Sequence, residues 1–144
     1  MVTCTDTSFL FALYADDTHS PRAIDWIRTQ RAAVTVTAFN ELELANAVRF
    51  AEWRRAVGSG DAERFLKDYD ADRLAGRIVL RECNLAAVVD EARRLSMVHT
   101  IAGGHRTFDI LHVAAAIVIG ADRFLTFDGN QHRLATAAGL DVPL

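Results

Sequence analysis

Four short runs rich in β-branched and apolar residues, at positions 2–5, 33–36, 78–80 and 123–126, are kept apart by longer stretches with helical punctuation, and this alternation limits the fold more than any other feature of the chain. Strands separated by helices do not pair as simple hairpins. They form a parallel sheet with crossover helices on both faces. The expected fold is therefore α/β, a three-layer α/β/α sandwich around a central, mostly parallel sheet of four to five strands, the fifth an edge strand near Val142.

The punctuation gives the helices. One passes through Phe9, Leu10 and Leu13, and Ser20-Pro21 supplies a cap and a first-turn proline for a second that runs toward Trp26 and Ile27. A long helix is expected over 38–57, stopped by Gly58-Ser59-Gly60, after which Asp61 caps another up to Gly76. Helices over 84–99, 107–119 and 131–138 complete the pattern. There is no repeat and no linker, so residues 1–144 are expected as a single domain, long enough to bury a real core.

Composition narrows the setting. Hydrophobic residues make up 51% and charged residues 24%, with two prolines, which excludes a disordered chain. No cationic run precedes an apolar stretch at the N-terminus, and residues 9–14 meet Asp16 and Asp17 at once, so no signal peptide is expected. The longest apolar run, 110–121, contains His112 and is too short to span a bilayer. Cys4 and Cys83 are isolated thiols in apolar surroundings, expected as buried strand residues, which suits a cytoplasmic protein with no membrane partner. The formal charge of −3 gives no sign of the basic surface that usually binds a nucleic-acid backbone. Yet fifteen of the sixteen basic residues are Arg, with Lys67 alone, and Arg favours bidentate contact with phosphate. GC-biased coding produces the same skew. A cation held by acids would invert the local sign and let nearby arginines complete a phosphate channel.

Four carboxylates fall where the alternation aims them at one point. Ligands of parallel sheets bind beyond the carboxyl ends of the strands, and Asp6 follows the first strand as Asp128 follows the fourth. Each has a local alternative, Asp6 as the cap of the next helix and Asp128-Gly129-Asn130 as a turn. Asp122 precedes its strand and belongs at the opposite end. Glu43 lies inside a helix, where no cap is needed. Phe39, Glu43, Asn46, Phe50, Trp53 and Val57 are spaced as one stripe, and the aromatics argue that it faces the core. Glu41 projects the other way, toward solvent. A carboxylate on an inward stripe costs free energy unless it is paired or bound to metal, a salt bridge to arginine being the alternative. Asp109 stands in the first turn of its helix, where the dipole favours negative charge whatever the function. His112, one turn on, is placed to orient Asp109, to contact substrate, or simply to pack as a hydrogen-bonded core histidine. Ser8, Asn46 and Thr126 are further candidates for supporting hydrogen bonds. Oxygen ligands of this kind suit Mg²⁺ or Mn²⁺, as one or two ions, and a cation beside an open face can activate water against a phosphodiester.

On these residues the chain resembles the PIN domain, and within it the VapC-type ribonuclease toxins of bacterial toxin–antitoxin pairs. The likeness is carried by Asp6 in Thr-Asp-Thr-Ser-Phe-Leu, Glu43 in Glu-Leu-Ala-Asn-Ala-Val, Asp109 in Phe-Asp-Ile-Leu-His-Val-Ala-Ala-Ala and Asp128 in Phe-Leu-Thr-Phe-Asp, in family order over nearly the whole chain. The resemblance implies a Mg²⁺- or Mn²⁺-dependent endoribonuclease in which Asp6, Glu43, Asp109 and Asp128 hold the metal and carry the catalysis. It also implies an RNA substrate, a cognate antitoxin that blocks the site, and a homodimer through helix faces. Exposed parts of Phe9, Leu13, Tyr14 and Trp26 are candidates for the antitoxin groove, with core packing as the alternative. In-line hydrolysis leaves a 5′-phosphate, since no histidine pair is placed to activate the RNA 2′-hydroxyl. A function of another class, an inactive PIN-like module that holds RNA or a partner in the same groove, stays open.

Overall fold

The computed structural model describes residues 1–144. Its four strands are three residues each: β1 (Thr3–Thr5), β2 (Val34–Val36), β3 (Ile78–Leu80) and β4 (Arg123–Leu125). All pair in parallel, in the order β3-β2-β1-β4. The fifth strand expected near Val142 is reduced to a single bridge between Asp141 and Arg123. Pro143 follows at once, and a proline has no N–H to extend the ladder.

Eight helices cover the sheet: α1 (Thr7–Tyr14), α2 (Ser20–Gln30), α3 (Ala38–Trp53), α4 (Asp61–Leu74), α5 (Leu85–Leu95), α6 (Ile101–Gly103), α7 (Thr107–Ile119) and α8 (Gly129–Ala137). A π-helical turn, Ser96–Thr100, joins α5 to α6. Because side chains alternate along a strand, the sheet feeds two cores. Val34, Val36 and Leu125 face Phe9, Leu10, Trp26, Leu44, Val48 and Phe65 from α1–α4. Cys4 and Phe124 face Val88, Leu95, Val113 and Leu134 from α5, α7 and α8. This is the expected three-layer sandwich, with each fully buried Leu, Val or Phe contributing about 1.5–3 kcal/mol of hydrophobic stabilisation. No helix is long and apolar enough to cross a membrane.

Several sequence expectations need correction. Helix α3 ends at Trp53 rather than Val57, because Arg55 takes a left-handed φ of +60°. Its packed face is also rotated: Asn40, Leu44, Val48 and Ala51 are buried, whereas Phe50 is 53% and Trp53 76% exposed. The two rings lean on each other at 5.3 Å, with the Arg54 guanidinium over Phe50. Asn46 is exposed as well. Glu41 does not project into solvent; it is half-buried, accepts a hydrogen bond from Tyr69 Oη at 2.9 Å and pairs with Arg73. Phe9, Tyr14 and Trp26 are core residues, with Phe9 and Trp26 packed edge to face at 6.0 Å, and of the four named for a groove only Leu13 is half-buried, beside Ile27 and Ile78 in a separate cavity. Cys4 is a buried strand thiol, pushed up to about 12 chiefly by burial, but Cys83 is half-buried in the loop after β3.

Candidate active site

Asp6 leaves β1 in an extended conformation and caps α1, its Oδ1 accepting the Phe9 N–H at 3.1 Å. Asp128 stands three residues beyond the end of β4 and caps α8, its Oδ1 accepting the N–H groups of Asn130 and Gln131 at 2.9 and 2.8 Å. Each of the two therefore serves locally as a helix cap. Since β1 and β4 are parallel neighbours, both caps open on the same crevice at the carboxyl end of the sheet.

Two hydroxyls join them. Thr126 Oγ1 donates to Asp6 Oδ2 at 2.6 Å and accepts from the Asp128 N–H at 3.0 Å. Ser8 Oγ donates to Asp6 Oδ1 at 2.7 Å and accepts from the Phe127 N–H at 2.8 Å. Asp6 itself is fully buried, and burial pushes its pKa up to about 6, with the donors Thr126, Ser8 and Phe9 pulling it back. Burial is the largest influence on this carboxyl.

Glu43 approaches from α3. Its Oε2 accepts from Thr7 Oγ1 at 2.7 Å and meets His112 Nε2 in a short contact. Burial alone would raise this carboxyl, but the hydrogen bonds from His112 and Thr7 outweigh it and hold the pKa below the ordinary value. The tautomer of His112 follows from the network. Asn40 Oδ1 accepts from the Thr37 N–H at 2.8 Å, which turns Asn40 Nδ2 toward the carbonyl of Thr5 at 2.9 Å and toward His112 Nδ1 at 3.3 Å. Nδ1 is then the acceptor, and Nε2 carries the proton offered to Glu43. His112 thus orients Glu43, not Asp109. The part expected of Asn46 falls to Asn40, whose signal in the sequence is the capping box Thr37-x-x-Asn40.

Asp109, buried in the first turn of α7, accepts from Arg106 Nε at 2.9 Å and from Gln131 Nε2 at 3.3 Å. The same Nε2 donates to Asp6 Oδ2 at 2.7 Å. Arg106 is an exposed arm that also comes within 3.9 Å of Asp128 Oδ2. Arg106 and Gln131 were missed because their spacing to the acids, three residues before Asp109 and three after Asp128, is ordinary within a helix.

All four acids line one open cavity of about 350 Å³, together with Arg106 and Gln131. Their oxygen donors are of the kind hard cations take. No three Asp, Glu, His or Cys side chains stand close enough to grip one ion between them as they lie, because the Gln131 amide and the Arg106 guanidinium stand among the carboxylates. Gln131 Oε1 is shut off from solvent and meets no donor in the protein. A buried acceptor without a partner is rare, and with the amide turned over a cation among the acids is a partner it can take.

The family model of the PIN domain matches residues 3–137. Comparison with curated proteins finds no match. Among solved structures, the Mycobacterium tuberculosis VapC20, a toxin that cleaves the sarcin–ricin loop, superposes with a TM-score of 0.69 at 20% identity, over 96% of this chain and 95% of that one. VapBC2 from Rickettsia felis, bound to a DNA fragment from its promoter, gives 0.66 at 14% identity over 99% and 97%. VapBC-1 from nontypeable Haemophilus influenzae gives 0.65 at 15% identity over 99% and 96%. At these identities the solved structures establish the fold alone.

Proposed function

The chain belongs to the PIN domain family, and from that premise we propose that it is a divalent-cation-dependent endoribonuclease, the toxin half of a toxin–antitoxin pair. The observation that carries this is the meeting of Asp6, Glu43, Asp109 and Asp128, brought by four different elements, on one cavity at the carboxyl end of a parallel sheet. Likeness to VapC20 and to VapBC assemblies supports an RNA substrate and an antitoxin partner. Asp6, Glu43, Asp109 and Asp128 would hold Mg²⁺ or Mn²⁺, as one or two ions. When bound, the cation supplies water of lowered pKa and positive charge beside the departing oxygen.

The remaining work falls to the protein. Thr126 and Ser8 fix the Asp6 carboxylate, so that it cannot rotate away from the crevice. His112 and Thr7 hold one oxygen of Glu43 and leave the other free for the cavity. The Arg106 guanidinium lies on the open side of Asp109 and Asp128, where it can pass from a carboxylate to an RNA phosphate as substrate enters. A homodimer is part of the same proposal. Its face is the helical segment on which Met97 is 77% and Ile101 100% exposed, and sedimentation of Ile101→Glu as a monomer would support it.

The test is cleavage of a labelled RNA pool. Products with 5′-phosphate ends in Mg²⁺ or Mn²⁺, absent in EDTA and absent for Asp6→Ala, support hydrolysis. A small co-purified partner that suppresses cleavage supports the antitoxin. A second reading, a PIN-like module that binds RNA without cutting it, draws on the placement of Gln131 and Arg106 among the acids. It predicts RNA retention that EDTA does not disturb.

A further inference from the structure

Gln131 touches three of the four acids. Its backbone N–H donates to Asp128 Oδ1 at 2.8 Å, and its side-chain Nε2 donates to Asp6 Oδ2 at 2.7 Å and to Asp109 Oδ1 at 3.3 Å. The residue is only 4% exposed, and Oε1 is sealed from solvent with no donor. The half of the amide that faces the carboxylates is satisfied, and the half that faces away is not. Buried side-chain amides usually satisfy both ends.

The terminal torsion of glutamine is soft and roughly two-fold, so the amide can turn over in place. Turned, it puts Oε1 where Nε2 stands, beside one oxygen of Asp6 and one of Asp109. Three oxygens around one point repel unless a cation lies among them, and with a cation they are a hard-metal ligand set. We propose that Gln131 is a ligand of the catalytic cation, its amide presenting Oε1 to the ion and Nε2 to the carboxylates when no ion is at hand, a role that rests on the cation reading above. In the second orientation the NH₂ group bridges Asp6 and Asp109 and offsets their repulsion. One side chain thereby serves both conditions, which neither a glutamate nor an apolar residue can do. Glutamate cannot donate when ionised, and an apolar chain offers no oxygen.

The experiment follows the side-chain NH₂ resonances of Gln131 in the full-length ¹⁵N-labelled protein, assigned by their loss in Gln131→Glu, as Mg²⁺ is titrated from EDTA. Backbone amides of Asp6 and Asp109 report binding of the ion independently. The expected result is that the Gln131 NH₂ pair shifts in step with those backbone signals, and that Gln131→Leu binds Mn²⁺ at least tenfold more weakly while Gln131→Glu retains binding. Backbone shifts with an unmoved NH₂ pair overturn the role of Gln131 and leave the nuclease reading standing. No backbone shift at millimolar Mg²⁺ and no Mn²⁺ binding by the unsubstituted protein overturn both.

Discussion

Replacing Asp6 with asparagine isolates what it costs to keep a carboxylate in this core. Burial, the largest influence on Asp6, lifts its pKa from 3.8 to about 6; at 1.36 kcal/mol for each pH unit between those values, the penalty on the ionised form is about 3 kcal/mol. The sign is fixed by which state holds the proton more tightly. The folded pKa lies above the unfolded one, so the stabilisation from the protonated carboxyl is complete below pH 3.8 and is lost as pH rises through 6. Asp6→Asn has no such proton. It does lose an acceptor, since an amide offers one oxygen where Thr126, Gln131, Ser8 and Phe9 now use two. That loss costs about 1–3 kcal/mol but does not vary with pH. Urea denaturation in EDTA at several values between pH 4 and pH 7, for both proteins, separates the two effects. The stability of Asp6→Asn relative to the unsubstituted protein should climb by about 2 kcal/mol over that range, whatever its starting offset. A relative stability that stays flat from pH 4 to pH 7 refutes burial as the force governing Asp6. Millimolar Mg²⁺ should shrink the pH dependence of the unsubstituted protein, because a liganded carboxylate remains ionised, and leave Asp6→Asn unmoved.

Glu43→Gln should abolish RNA cleavage while Glu41→Gln leaves it intact, because Glu41 is engaged by Arg73 and Tyr69 away from the cavity; equal loss in the two would move the site. Thr126→Val removes the hydroxyl shared by Asp6 and the Asp128 N–H, and denaturant unfolding should record a loss of about 1–3 kcal/mol together with reduced cleavage. Mg²⁺ at a hundredfold excess over its dissociation constant should add about 2.7 kcal/mol if it binds only the folded chain. A melting temperature indifferent to both Mg²⁺ and Mn²⁺ would count against the cation site.

The fold was readable because its rules are local. Pro21 sits in the first turn of α2 and α7 starts at Thr107 as expected, although Ser20 is the first helical residue of α2 and His19 its cap position, and the glycines at 76, 104 and 120 take positive φ at or just past helix ends. The rotation of α3 was not readable. Hydrophobic periodicity records which stripe is most apolar, and on α3 that stripe carries Phe50 and Trp53; packing against α1 and α4 instead takes the narrower row of Leu44, Val48 and Ala51. Glu43 was therefore placed at the site by a stripe that the protein does not bury. What positions it is Thr7, 36 residues away, and His112, 69 residues away, and no local spacing encodes contacts at that range. Arg106 and Gln131 escaped for a related reason: their helical neighbourhoods are unremarkable, and only the tertiary fold puts them among acids.

Asp6 was legible as a helix cap and Asp128 as a turn, and the structure makes both of them caps that line the cavity. In each, Oδ1 takes backbone N–H groups from the first turn of a helix; Oδ2 of Asp128 is left for the crevice, whereas Oδ2 of Asp6 accepts from Thr126 and Gln131. The helix N-terminus thereby locks the rotamer. Asp128 allows the two duties to be separated, because its second oxygen meets only the Arg106 guanidinium at 3.9 Å. Serine caps a helix about as well as aspartate but brings one oxygen and no charge. Asp128→Ser should therefore unfold within a few tenths of a kcal/mol of the unsubstituted protein, while Asp128→Ala loses about 0.5–2 kcal/mol with the cap. Both should lose RNA cleavage. Retained cleavage in Asp128→Ser would mean that the second oxygen has no part in the chemistry and that Asp128 serves the helix alone.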